Sequence, residues 1–175
     1  PLVRYATGGY ICASPFPYDG IFRRAVLNFK FHNCGAYAEL LSHEMVRSIK
    51  DVYRDRKFDL VTCVPMHKDT LRERGYNQAE LLAKECARLL GIEYADLLVK
   101  TKKNKTQHSI KAAERAKNVI GVYSPIDKNL IKGKRILIID DIITTGSTLG
   151  ECARILNKCK CGEICCCTLC TSLLI

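Results

Sequence analysis

Two adjacent carboxylates and four hydroxyls fall within one short stretch, Arg135-Ile-Leu-Ile-Ile-Asp-Asp-Ile-Ile-Thr-Thr-Gly-Ser-Thr148. Ionised carboxylates only accept hydrogen bonds, so Asp140 and Asp141 suit a pair of vicinal hydroxyls. The turn Thr144-Thr145-Gly146-Ser147-Thr148 leads into a helix, and its free backbone N–H groups and hydroxyls suit a phosphate. Diol acceptors on one side and phosphate donors on the other describe a site for a sugar phosphate. A P-loop would require Gly-Lys-Ser/Thr, which is missing here. A phosphoacceptor receiver domain also uses acidic pairs, but it has no need of the hydroxyl-rich turn. A plain buried strand followed by an acidic loop does not account for the two groups at this separation.

A second cluster carries the opposite charge. In Val64-Pro-Met-His-Lys-Asp-Thr-Leu-Arg-Glu-Arg-Gly-Tyr-Asn-Gln78, the side chains of His67, Lys68, Arg72 and Arg74 concentrate cationic donors. Arginine presents a planar fork matched to phosphate oxygens. A solvated basic loop is the alternative, and it weakens if this segment lies beside the acidic pair in space.

Both clusters need a sheet to place them. Ile136–Ile139 is a continuous apolar run, the pattern of a parallel strand buried on both faces. Asp140 and Asp141 then sit at the strand's carboxyl end, where open α/β sheets bind ligands. Phe58–Val64 reads as a second strand ending at Pro65. Apolar spacing predicts helices through Ile21–Phe29, with Asp19 as N-cap, and through Ala38–Val52, with Leu41, Met45 and Ile49 on one face. Asn77-Gln-Ala-Glu80 predicts a capping box at the start of a helix that Gly91 ends. A strand is expected over Asn118–Tyr123, a turn-rich connection over Pro125–Lys134, a helix over Ser147–Lys158 and a terminal strand after it. Alternating strands and helices imply an α/β fold with a mostly parallel sheet.

The chain has 175 residues, 47% of them hydrophobic, enough for one domain with a substantial core. Its 28 basic and 18 acidic residues give a net charge of +10, which attracts polyanions such as phosphorylated metabolites, nucleic acid or anionic membrane. No apolar run is long enough to span a bilayer, and the first residues lack the apolar core of a secretion signal, so a cytoplasmic location is expected.

Eleven cysteines are unusual, and six of them crowd into Cys159–Cys170. Cys167-Thr-Leu-Cys170 has zinc-site spacing, which leaves open a metal-binding redox protein. Yet Glu163–Leu169 reads as a strand, which puts Cys165 and Cys167 on one face and Cys166 on the other. That is poor geometry for one tetrahedral ion, and Cys as a small buried hydrophobe is favoured.

The acidic-pair motif resembles the phosphoribosyl pyrophosphate (PRPP) motif of type I phosphoribosyltransferases. Pro65-Met66-His67-Lys68 stands where that family has its pyrophosphate loop. Arg72-Glu-Arg-Gly-Tyr-Asn-Gln78, the lead-in Tyr18-Asp-Gly-Ile-Phe-Arg-Arg24, and Thr106-Gln107, Glu114-Arg115, Asn118 and Gly121 are similar to segments of the ComF (competence) family. The resemblance runs from Tyr18 to Thr171. The four-cysteine zinc ribbon usual at the start of ComF proteins has only Cys12 as a counterpart, and no zinc expectation follows.

The resemblance implies a type I phosphoribosyltransferase fold over residues 1–175, with a small N-terminal hood in 1–55 and a core in 56–175. It implies catalysis by Asp140, Asp141, Arg72 and Arg74. PRPP would be bound by Thr144, Thr145, Gly146, Ser147 and Thr148 and by Pro65, Met66, His67 and Lys68. It also implies Mg²⁺ entering with PRPP, a strained pyrophosphate loop with a non-proline cis peptide, and a mobile loop over 100–118. That loop holds seven Lys/Arg against the single Glu114. The implied reaction is transfer of the phosphoribosyl group to a nitrogen nucleophile, a nucleobase, with release of pyrophosphate. The alternative is a PRPP-sensing or single-stranded-DNA-handling module in DNA uptake with little transferase activity. Either could act as a homodimer or with competence-machinery partners.

Overall fold

A computed structural model of the chain describes residues 1–31, 35–102 and 119–172. The chain opens with β1 (Leu2–Ala6), β2 (Tyr10–Ser14) and the two-residue β3 (Phe16–Pro17), then α1 (Gly20–Phe31) and α2 (Gly35–Val52). Next come β4 (Leu60–Cys63), α3 (Lys68–Arg74), α4 (Gln78–Leu90), β5 (Glu93–Tyr94) and β6 (Leu98–Lys100). The last part is β7 (Tyr123–Pro125), α5 (Lys128–Ile131), β8 (Arg135–Ile143), α6 (Ser147–Lys158) and β9 (Glu163–Thr171).

The main sheet runs β1-β2-β9-β8-β4-β5, with β3 also alongside β9. Only β1 and β2 pair antiparallel; every other pair in this sheet is parallel. β6 and β7 form a separate antiparallel ribbon.

The period-2 geometry of β8 divides the core. Ile136 and Ile138 point to one face, packed with Leu149, Cys152 and Leu156 of α6, Ile131 of α5 and the β6–β7 ribbon. Leu137 and Ile139 point to the other, packed with Val26 and Phe29 of α1, Met45 and Ile49 of α2, and Leu82 and Cys86 of α4. All four residues of this run are fully buried, and each such side chain contributes roughly 1.5–3 kcal/mol. Helices on both faces explain why the run is uniformly apolar.

β9 repeats the division with cysteine. Cys166 lies in the first core and Cys165 and Cys167 in the second, as the alternation predicts. Desolvation raises all three thiols above their ordinary pKa, and the same burial pushes Cys12 up to about 12. Among the described residues no group of three or more His, Cys, Asp or Glu could hold a metal ion. Tyr53, at the end of α2, donates its hydroxyl to the carbonyls of Cys166 (2.7 Å) and Ile11 (3.0 Å). It thereby ties α2 to β9 and β2.

Several local expectations change. Residues 1–55 were expected to supply a hood, but β1–β3 extend the central sheet itself and α1 and α2 pack on it. Lys68–Arg74, for which the sequence predicted no element, is helix α3. It has no buried residue and therefore no apolar stripe to reveal it. Val119–Gly121 turn instead of extending, and the strand begins only at Tyr123. Gly121 sits at φ +73°, which ends any strand there. The connection before β8 contains α5, capped by Asp127. Among the described residues, no helix is long and apolar enough to cross a membrane.

Candidate functional site

Parallel pairing brings the two motifs together. β4 lies beside β8 in the register Leu60↔Ile136 to Cys63↔Ile139, and the N–H of Val64 donates to the carbonyl of Ile139 at 2.9 Å. There β4 turns away into Pro65, while β8 continues through Asp140 and Asp141 beside β9. The acidic pair was expected at the strand's end. It lies inside β8 but past the end of β4, so one edge of it is uncovered. Pro65, Met66, His67, Arg74, Asp140, Asp141 and Thr148 all line a single cavity of about 300 Å³.

The approach to this cavity is held by caps. Asn77 accepts from the N–H of Ala79 at 3.1 Å, capping α4 as predicted, and donates to the carbonyl of Val64 at 3.1 Å. One side chain thus starts a helix and fixes the strand end beside it. Glu80, the second half of the expected capping box, accepts from Lys84 at 2.6 Å. His67 caps α3 by accepting from the N–H of Asp69 at 3.3 Å. Arg74 donates to Gln78 at 3.1 Å, joining α3 to α4. No cis peptide occurs among the described residues, and only Lys160 among non-glycines has a positive φ. The expected cis bond and strain in Pro65–Lys68 are therefore corrected: a trans loop entering a capped short helix places these residues.

On the phosphate side, Gly146 is left-handed (φ +73°) and opens α6. A Cβ there would come within 2.7 Å of the Ala6 Cα, because the turn after β1 crosses directly over it. The N–H of Thr7 donates to the Gly146 carbonyl at 3.2 Å. Thr145 and Ser147 hydroxyls meet at 2.9 Å, and Thr144 and Thr145 are exposed. Of this turn Thr148 lines the cavity, while Thr144, Thr145, Gly146 and Ser147 do not. Lys68 and Arg72 are exposed and also outside the lining.

Two further lining residues come from the β6–β7 ribbon: Lys100, the first residue of the expected mobile loop, and Tyr123, which carried no functional signal in the sequence. Lys100, at the end of β6, lies with its ammonium 5.6 Å from the centre of the Tyr123 ring on β7. Burial lowers its pKa from the ordinary lysine value, opposed by the nearby Cys152 and Asp140. Asp140 accepts from the N–H of Asp141 at 2.9 Å. A partly desolvated cation therefore shares the cavity with the acidic pair. Residues 103–118, which hold most of the expected mobile loop, lie outside the described residues.

The fold and this pairing of an acidic strand with an anion turn define a phosphoribosyltransferase-type domain. The family model for the phosphoribosyl transferase domain matches residues 77–173. The chain belongs to that family, and within it to the ComF type. It is 33% identical over 144 residues to "Competence protein F" of Haemophilus influenzae, covering 79% of this chain and 63% of that protein. To "Competence protein ComFC" of Bacillus subtilis it is 31% identical over 152 residues, 86% of this chain and 60% of that one. "DNA utilization protein YhgH" of Escherichia coli is 30% identical over 101 residues, 57% and 44%. The chain thus spans less than two thirds of the length of these relatives. Among solved structures, the glutamine PRPP amidotransferase from B. subtilis aligns with a TM-score of 0.54 at 17% identity, over 81% of this chain and 30% of that one. That likeness concerns the fold.

Proposed function

We propose that the chain binds PRPP together with Mg²⁺ and transfers the phosphoribosyl group to a nitrogen nucleophile, a nucleobase, releasing pyrophosphate. The observation that carries this reading is the shared cavity: the Asp140–Asp141 pair, the Pro65–His67 loop and the cations Arg74 and Lys100 line one space. In the reaction the nucleophile's lone pair forms a bond to ribose C1 while the bond from C1 to the pyrophosphate oxygen breaks. Asp140 and Asp141 accept hydrogen bonds from the two ribose hydroxyls, and their negative charge favours the positive charge that develops on the sugar. The N–H groups of Met66, His67 and Lys68, with Arg74 and Lys100, neutralise the departing pyrophosphate. Arg72 adds positive charge at the approach. Thr144–Thr148 receive the 5′-phosphate, with Gly146 allowing the turn that opens α6.

The two carboxylates suit Mg²⁺ as hard oxygen donors. Among the described residues no group of three or more His, Cys, Asp or Glu could hold a metal, and two carboxylates alone fit an ion that arrives on substrate phosphates. When bound, it would supply positive charge that favours departure of the pyrophosphate.

Calorimetry of PRPP–Mg²⁺ with the intact chain and with Asp140→Asn/Asp141→Asn tests the site. The double variant should bind more weakly by at least about 1–3 kcal/mol. Unchanged affinity would overturn the assignment. Pyrophosphate release against a panel of purine and pyrimidine bases tests the transfer. A second reading is favoured by the net +10 and by the names of the relatives: a PRPP-binding module that handles single-stranded DNA with little transferase activity. PRPP binding without pyrophosphate release on any base would select it.

A further inference from the structure

We propose that a second groove, at the amino edge of the sheet and separate from the cavity above, binds a free nucleoside phosphate. This groove has a volume of about 490 Å³, within the range of small-molecule sites, and shares no lining residue with the first cavity. Half-buried Phe58, Leu90 and Ile92 supply its apolar surface. They come from the lead-in to β4 and from the end of α4, so they are set by the sheet and not by a loose loop.

Five cations line the same groove and no carboxylate does. Arg135 is held by a two-pronged pair with Asp59, at 2.7 and 3.0 Å. Arg56 pairs with Glu163 and lies 5.8 Å from the Tyr53 ring centre. Lys50, Arg54 and Lys57 are exposed and make no ion pair with any described residue. The rim therefore joins two pre-oriented guanidinium groups to three unneutralised cations around an apolar patch.

That combination selects the ligand's chemistry. A bare inorganic anion would leave Phe58, Leu90 and Ile92 unused, and an apolar ligand would leave the cations unused. Three of the five cations are arginines, which both fork phosphate oxygens and stack on flat heterocycles. A base against Phe58 with its phosphate at Arg54 and Lys57 uses both the apolar patch and the cations. This groove is independent of the PRPP reading, since it lies at the opposite edge of the sheet from Asp140.

Calorimetric titration of AMP, GMP, CMP and UMP into the intact chain tests the groove, in parallel with Lys50→Glu/Arg54→Glu/Lys57→Glu and with Asp140→Asn/Asp141→Asn. At least one nucleotide should bind at or below about 1 mM. The triple charge reversal should weaken it by roughly 10-fold or more, the loss of charge-assisted bonds. The acidic-pair variant, in which product binding at the carboxyl-edge site is weakened, should still bind one equivalent with the groove's affinity, and the matching nucleoside without phosphate should bind far more weakly. The amide signals of Phe58 and Ile92 should shift on titration of the unmodified protein, a readout that survives if the triple variant misfolds. Binding by none of the four, equal affinity in the triple variant, equal affinity for the bare nucleoside, or loss only in the Asp140/Asp141 variant would each overturn the proposal. PRPP affinity measured on the triple variant reports separately on the carboxyl-edge site.

Discussion

Gly146→Ala is the substitution whose consequences follow most directly from the geometry. The residue is left-handed at φ +73°, a conformation that costs an L-residue about 1–2 kcal/mol. The added Cβ would sit 2.7 Å from the Ala6 Cα and 3.1 Å from the Thr7 nitrogen. Both are backbone atoms, so the turn between β1 and β2 must move, at about 1–3 kcal/mol for an overpacked contact. The move also breaks the Thr7-to-Gly146 hydrogen bond, worth about 0.5–1.5 kcal/mol. Together these come to about 2.5–6.5 kcal/mol, or roughly 5–26 °C in Tm for a chain of this length. Gly91→Ala is the control. Gly91 is also left-handed (φ +67°), but a Cβ there meets nothing within 4 Å, so it incurs only the conformational part. Differential scanning calorimetry of the two variants isolates the close approach. If they melt within about 2 °C of each other, the argument that β1's turn clamps the phosphate turn is wrong.

Further outcomes can be checked independently. Tyr53→Phe removes the hydroxyl that serves two buried carbonyls and should lower stability by about 1–3 kcal/mol in denaturant unfolding, with little change in PRPP affinity. Asp59, held well below the usual carboxylate range by its bonds from Arg135, is a depressed-pKa group. Its contribution is complete above the unfolded carboxylate pKa and fades as pH falls through the folded value. The Tm gap between the intact chain and Asp59→Asn should therefore be constant near neutrality and narrow below about pH 4, and a gap that widens on acidification would contradict this. Among the ten described cysteines, only Cys161 and no member of Cys165–Cys167 should react quickly with iodoacetamide in the native protein at mild alkaline pH, as read by peptide mass mapping. Lys100→Met should weaken pyrophosphate and PRPP binding by roughly 10-fold, through loss of a partly desolvated cation, while leaving the fold intact by circular dichroism.

What the residues revealed on their own was what neighbours in sequence decide. Four consecutive aliphatics before Asp140 could only be a strand covered on both sides. The Asn77 cap and the Gly91 stop bracketed α4 because both act within one turn. The cysteine alternation in β9 was legible for the same reason. The failures have physical causes. In β1, Val3 and Tyr5 are exposed, so the apolar side of its alternation faces outward and gave no sign of a core strand. Helix α3 buries nothing, and periodicity had nothing to report. Val119, Ile120 and Val122 imitate strand spacing, but Gly121 turns the chain between them. Lys100 and Tyr123 reach the site through the β6–β7 ribbon, and only the assembled fold puts that pairing beside Asp140.

The strand order also sets a timetable for the chain's assembly. β1 and β2 leave the ribosome well before the other described strands of the sheet, yet they have no place in it until β9 exists, because β2 pairs with β9 and with no other described strand of the parallel core. β8 likewise has only β4 as a neighbour until β9 is made, which leaves one edge of its apolar run unpaired. At 5–20 residues per second, the interval between the end of β3 and the start of β9 is roughly 7–30 s. Throughout it the newborn chain carries an undocked hairpin, and for roughly its last 1–4 s, between the end of β8 and the start of β9, an open hydrophobic edge as well, the features by which proteins pair wrongly with one another. The hairpin's turn is also the piece that closes over Gly146. The phosphate turn therefore gains its final support only once β9 has docked the hairpin, and a chain cut short before Glu163 would lack that support however complete its acidic motif.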